Sequence, residues 1–169
     1  MPVPVQTNDG VAFATRGDVV YVVYNAAARL HRSKWLFDQT DAVLARCPEG
    51  ILVFMIILPS SSPPDAATRR ENVVRMRKLG ASLRRCVTVP VGDDLHMAVV
   101  RTVMRALGVI QGSGRVQRVE KNIVHGIRSV IEARGPRTPT AEELETDLRT
   151  MYNALRVDFR TNVPLATSA

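Results

Sequence analysis

The residues best suited to chemistry fall into three groups. Residues 51–64 read ILVFMIILPSSSPP, which sets Ser60, Ser61 and Ser62 directly behind an apolar run. Serines at the end of a strand suit a phosphate acceptor, a docking loop or a helix cap. The histidines, His31, His96 and His125, share no metal-ligand spacing and have no acidic residue paired with them in sequence, so no metal site is expected. The cysteines, Cys47 and Cys86, are far apart and lack metal-type spacing. They read as small half-buried thiols beside strands, in a reducing compartment.

Motifs for covalent or nucleotide chemistry are missing. GSGR at 112–115 follows a helical pattern rather than a strand, so it reads as a linker and not a phosphate loop. No Gly-x-Ser-x-Gly elbow occurs. The chain is therefore expected to be non-catalytic and to need no cofactor.

Charge points to a partner. The formal net charge of the 169 residues is +7, which favours an acidic surface: protein, nucleic acid or anionic lipid. Arg69, Arg70, Arg75, Arg77 and Lys78 crowd one predicted helix. On a second, Arg118, Lys121, His125 and Arg128 fall within about a third of the circumference, a stripe able to neutralise phosphates. Glu132 lies near that arc, and aromatic residues, 5% of the chain, do not interleave with it, which disfavours base stacking.

The elements that must position these residues follow from periodicity. Residues 11–15 and 18–24 are β-rich runs around Arg16-Gly17-Asp18, a hairpin. A helix is predicted over 33–46 and a strand over 51–58. That strand shows no alternation, so both of its faces should be buried beneath helices, with parallel neighbours. A helix over 63–83 follows, with Ser62 as its cap and Pro63 at its first position. Next come a strand over 86–91 and a helix capped by Asp93 or Asp94. That helix runs to about 107, is stopped by Gly108, and turns Leu95, Val99, Val100, Val103, Met104 and Leu107 inward. After a QGSG joint at 111–114, a long amphipathic helix is predicted over 115–133. Thr140 and Glu143 then form a capping box on a helix to about 156, and the tail after Phe159 is expected to fray.

Hydrophobic residues make up 46% of the chain, enough for a real core. The longest apolar run is far shorter than the roughly 20 residues that span a bilayer. No charged region followed by an apolar run opens the chain, so a cytoplasmic location with no membrane association is expected.

The order β-β-α-β-α-β-α, followed by two helices, resembles the STAS domain, the fold of anti-sigma-factor antagonists. The residues that carry the likeness are GDVVYVVY, KWLFDQTDAVLARCPEGILVFMIIL and RRENVVRMRKLGASLRRCVTVPVGDDLHMAVVRTVMRALGVI. It covers residues 11–110, leaving 115–158 as a helical extension packed on that domain or mediating dimerisation. The resemblance implies an α/β fold with a mixed sheet and a cytoplasmic bacterial regulatory module that binds another protein. In regulatory members an aspartate ends the central strand and a serine at the next helix start is phosphorylated. Here the strand ends Leu58-Pro59, Pro63 and Pro64 remove two backbone donors, and Asp65 would repel a phosphate. The serines are therefore expected to stay unphosphorylated. The region implied to meet the partner comprises Ser60, Ser61, Ser62, Asp65, Arg69 and Arg70, and its basic residues suit an acidic protein. Two other expectations stand beside this one: a nucleic-acid-binding regulator using the Arg118–Arg128 stripe, and a small-molecule binder or small enzyme, which needs a concave pocket.

Overall fold

The computed structural model describes residues 3–92, 95–110 and 116–159, apart from the side chains of 107–110. Strands β1 (Gln6–Asn8), β2 (Val11–Arg16) and β3 (Val19–Tyr24) lead into α1 (Leu30–Leu44). Then come β4 (Ile51–Ile57), α2 (Ala66–Leu79), β5 (Leu83–Pro90) and α3 (Leu95–Ile110). The chain continues with β6 (Gln117–Val119), α4 (Ile123–Glu132) and α5 (Ala141–Ala154).

The six strands form one sheet in sequence order. β1, β2 and β3 are antiparallel neighbours, whereas β3, β4, β5 and β6 run parallel. The sheet is therefore mixed. The Gly17-Asp18 turn closes the β2–β3 hairpin with Arg16 opposite Val19, and Gly17 takes the positive φ of 59° that such a tight turn needs.

β4 lies between β3 and β5 with helices on both sides, as its unbroken apolar run predicts. Leu52, Phe54 and Ile56 join Tyr21, Val87 and Val89 in a core under α4 and α5. Val53 joins Val20, Val22 and Cys86 in a second core under α1 and α2. Burying each such side chain stabilises the fold by about 1.5–3 kcal/mol, so the two faces together dominate its energetics.

The two C-terminal helices fold back on the sheet. Ile123 and Val130 of α4 and Leu144, Leu148, Met151 and Tyr152 of α5 are all fully covered there. Polar contacts pin the loop between these helices. Asp18 receives hydrogen bonds from Thr138 Oγ1 at 2.9 Å and from Arg84. The capping box is present: Thr140 N–H donates to Glu143 Oε2 at 2.9 Å, and Glu143 N–H donates to Thr140 Oγ1 at 3.3 Å.

Several boundaries differ from the sequence reading. The helix expected over 115–133 is a strand and a shorter helix, because Gln117–Val119 pairs with β5 and Asn122 caps α4, its Oδ1 accepting from His125 N–H at 3.0 Å. The helix expected over 63–83 begins at Ala66 and ends at Leu79. The Pro63-Pro64 pair keeps the preceding backbone extended, and Gly80 at φ 46° turns the chain so that β5 starts at Leu83. Helix α1 starts at Leu30, three residues earlier than predicted, with Arg29 as cap. Gly108 does not stop α3, which runs on to Ile110, a helix glycine costing only about 1 kcal/mol. On α3, Leu95 and Val99 point outward, 82% and 50% exposed, and Met97 takes the buried position instead. β1 was not anticipated: its polar QTN sequence has no strand signature, and pairing with β2 alone makes it the sheet edge. The cap at Asp93 or Asp94, the 111–114 joint and the tail after Phe159 lie outside the described residues.

Candidate functional site

β3, β4 and β5 run parallel, so the loops that leave their C-terminal ends share one edge of the sheet, the usual position for sites in open α/β folds. Residues 25–29 and 58–65 face each other there. The second loop carries the serines, and each serine has a different environment.

Ser61 is 4% exposed. Its hydroxyl donates to the Tyr24 carbonyl at 2.8 Å, its N–H donates to Leu58 O at 2.9 Å, and its carbonyl accepts from His96 Nε2 at 2.9 Å. It is a structural anchor that ties the loop to β3 and α3. Ser60 is exposed and donates to Asn25 Oδ1. Ser62 is exposed, and its carbonyl accepts from Ala28 N–H at 3.4 Å.

Ser62 does not cap α2. Asp65 does: its Oδ1 accepts from Thr68 N–H at 2.8 Å. That amide, with smaller help from the Thr68 hydroxyl and the charge of Arg29, holds the Asp65 carboxyl below the usual carboxylate range. Arg29 Nη1 lies 3.8 Å from Asp65, and Arg69 Nη1 donates to the Pro64 carbonyl at 3.1 Å. Arg69 and Arg70 are exposed on the first turns of α2. Of the predicted docking residues, Ser60, Ser62, Asp65, Arg69 and Arg70 are exposed on the loop and the helix start behind it, whereas Ser61 is buried.

The second predicted surface is dispersed. Arg118 is on edge strand β6, Lys121 is in the turn after it, and only His125 and Arg128 are on α4. His125 is half-buried, and its Nδ1 donates to Asn122 Oδ1 at 2.8 Å, which assigns it to the helix start. The single helical stripe read from the sequence is absent because residues 117–119 are extended.

Beneath the serine loop lies a feature the sequence reading missed. A cavity of about 160 Å³ separates β4 from α1, α2 and α3. Val53, Met55 and Ile57 form its floor, and Phe37, Met76 and Met104 stand around it. Ser61 to Pro64 contribute to its wall. Cys86 also lines it; burial pushes that thiol up to about 11, so it is no nucleophile at neutral pH. The one available signal was polar residues at core spacing: Ser33 and Thr40 stand on the stripe of Leu36, and Asn72 stands on that of Met76 and Leu79.

Among the described residues no cluster of His, Cys, Asp or Glu could hold a metal ion, and no helix is long and apolar enough to cross a membrane. No protein-family model and no curated protein matches the chain. Among solved structures, an uncharacterized DUF3478-family protein with a SpoIIAA-like fold, from Shewanella loihica PV-4, is similar over 75% of this chain and 90% of that one, with a TM-score of 0.48 and 7% identity. The strand pairing itself gives the mixed α/β sheet that the STAS-like reading of the sequence expects.

Proposed function

We propose that this chain is a regulatory protein-binding module that docks an acidic partner through the 58–65 loop and the first turns of α2. The observation that carries the reading is how the loop is held. Ser61 is buried and bonded to β3 and α3, so the exposed Ser60, Ser62, Arg69 and Arg70 are displayed on a fixed support. A preorganised surface loses little conformational freedom on binding, and guanidinium groups suit carboxylate partners. The compartment we assign to this activity is the cytoplasm.

The test is capture of partners from a nuclease-treated lysate of the native host, comparing wild type with R69E/R70E. A partner with an acidic contact surface should be retained by the wild type and lost from the variant. Equal retention by both proteins would dismiss this surface.

A further inference from the structure

The cavity under the serine loop has the properties of a ligand chamber. Its size is close to the roughly 150 Å³ at which an apolar void accepts a benzene-sized molecule. Its floor is β4, where Met55 and Ile57 face the gap between the α1/α2 pair and α3. Helix α1 packs on α2, whereas α3 rests on β5 and β6, so the helical layer does not close over the centre of the sheet.

The lining chemistry selects the ligand. No described lining residue is charged. A carboxylate, phosphate or ammonium would lose its hydration there without gaining a counter-charge. Two lining atoms lack what buried polar atoms normally have. Ser33 Oγ and Asn72 Oδ1 are shielded from solvent and have no hydrogen-bond partner. Ser33 is only 2% exposed. Its hydroxyl is near enough to the Tyr24 phenol to offset part of the burial that raises that group, yet does not reach hydrogen-bond geometry with it. An unmet acceptor and an unmet hydroxyl on residues of a largely apolar, uncharged wall call for a neutral group that can both donate and accept.

We propose that the chamber bounded by β4, α1, α2 and α3 binds a small, neutral, largely hydrocarbon molecule bearing a hydroxyl, which hydrogen-bonds Asn72 Oδ1 or Ser33 Oγ. The chamber lies beneath the docking surface and shares Ser61 and Ser62 with it, but its ligand does not depend on that reading.

Methionine methyl NMR on the full chain tests this, with benzyl alcohol, toluene and benzoate as probes. Met55, Met76 and Met104 line the chamber, and Met151 sits in the core on the opposite sheet face. Benzyl alcohol should shift the first three methyls saturably and leave Met151 in place. Benzoate should bind at least tenfold more weakly. Asn72→Leu should weaken benzyl alcohol at least fivefold relative to toluene, and Ser33→Ala provides a second variant should the first fold poorly. Absence of a saturable shift in the wild type, an equal response at Met151, or benzoate binding as well as the alcohol would overturn the proposal.

Discussion

Arg16, the last residue of β2, donates from Nε and Nη2 to the two carboxylate oxygens of Asp147 on α5, each at 2.7 Å. Tyr21 Oη adds a third bond to the same carboxylate at 3.0 Å. Asp147 is fully buried on the inner face of α5. This fork fixes the last helix to the hairpin, so α5 is held by a directional contact as well as by its apolar stripe. Removing the carboxylate takes the acceptor from the buried Tyr21 phenol, while Arg16 still has Glu143 at 3.5 Å. Asp147→Ala should therefore destabilise the fold by about 1–3 kcal/mol, the usual cost of leaving a buried donor without its acceptor. Urea unfolding measures it, and an unchanged midpoint would show that α5 does not depend on this contact.

The helix start behind the serines gives a second expectation. Asp65, not Ser62, accepts from the Thr68 amide. Asp65→Ala should cost about 1 kcal/mol of stability, and Ser62→Ala close to nothing. Because the folded carboxyl titrates below its ordinary range, the cap's contribution is present above the unfolded carboxylate pKa and is lost as pH falls through the lower folded value. Thermal denaturation of both variants at pH 7 and in acid checks the order; equal losses would return the cap to the serine.

The sandwiched strand, the hairpin and the capping box were legible because each is written locally. Ile51 to Ile57 is a run that only a two-sided core can bury, Arg16-Gly17-Asp18 is turn chemistry, and Thr140 with Glu143 is a reciprocal bond. The Gln117–Val119 strand was hidden because Val116 and Val119 continue the helical spacing of Ile123, Ile127 and Val130. Only the pairing with Cys86 to Thr88, some 30 positions earlier, makes these residues extended. The cap shift from Ser62 to Asp65 came from Pro64, which holds Pro63 extended and delays the helix. Ser60 to Asp65 and the arginines of the next helix could be read as one stretch because a single loop and the helix start behind it carry them. The cavity was not, since its lining comes from helices and strands that sequence alone does not bring together.

Helix α4 approaches the sheet closely at one glycine. A Cβ on Gly126 would lie 2.6 Å from Val89 Cγ2 and 2.8 Å from Phe54 Cε2. Alanine gains about 1 kcal/mol of helix propensity there, but both neighbours are fully buried and cannot retreat without disturbing the central strands. Overpacking of this kind costs about 1–3 kcal/mol, so the clash outweighs the propensity. Gly126→Ala should lower stability by up to roughly 2 kcal/mol net in a chemical-denaturation curve. A stabilised variant would mean that α4 sits farther from β4 and β5 than the contact implies.

Cys86 makes the fold sensitive to alkali. Burial raises its thiol from 9.0 to about 11, with the Thr88 hydroxyl offsetting a little. The folded pKa is the higher one, so the contribution is fully present below about pH 9 and is lost as pH rises through 11, because the unfolded chain releases the proton first. Two units correspond to about 3 kcal/mol. Tyr21, Tyr24 and Tyr152 are raised in the same direction by burial, so wild-type protein alone cannot isolate the thiol. Cys86→Ala keeps the tyrosines and removes the titrating group. The stability difference between wild type and variant should therefore shrink between pH 8.5 and 10.5, measured as urea midpoints at each pH. A difference that stays constant over that interval would place the Cys86 thiol in contact with solvent, and the chamber it lines would then be open to water from the sheet side.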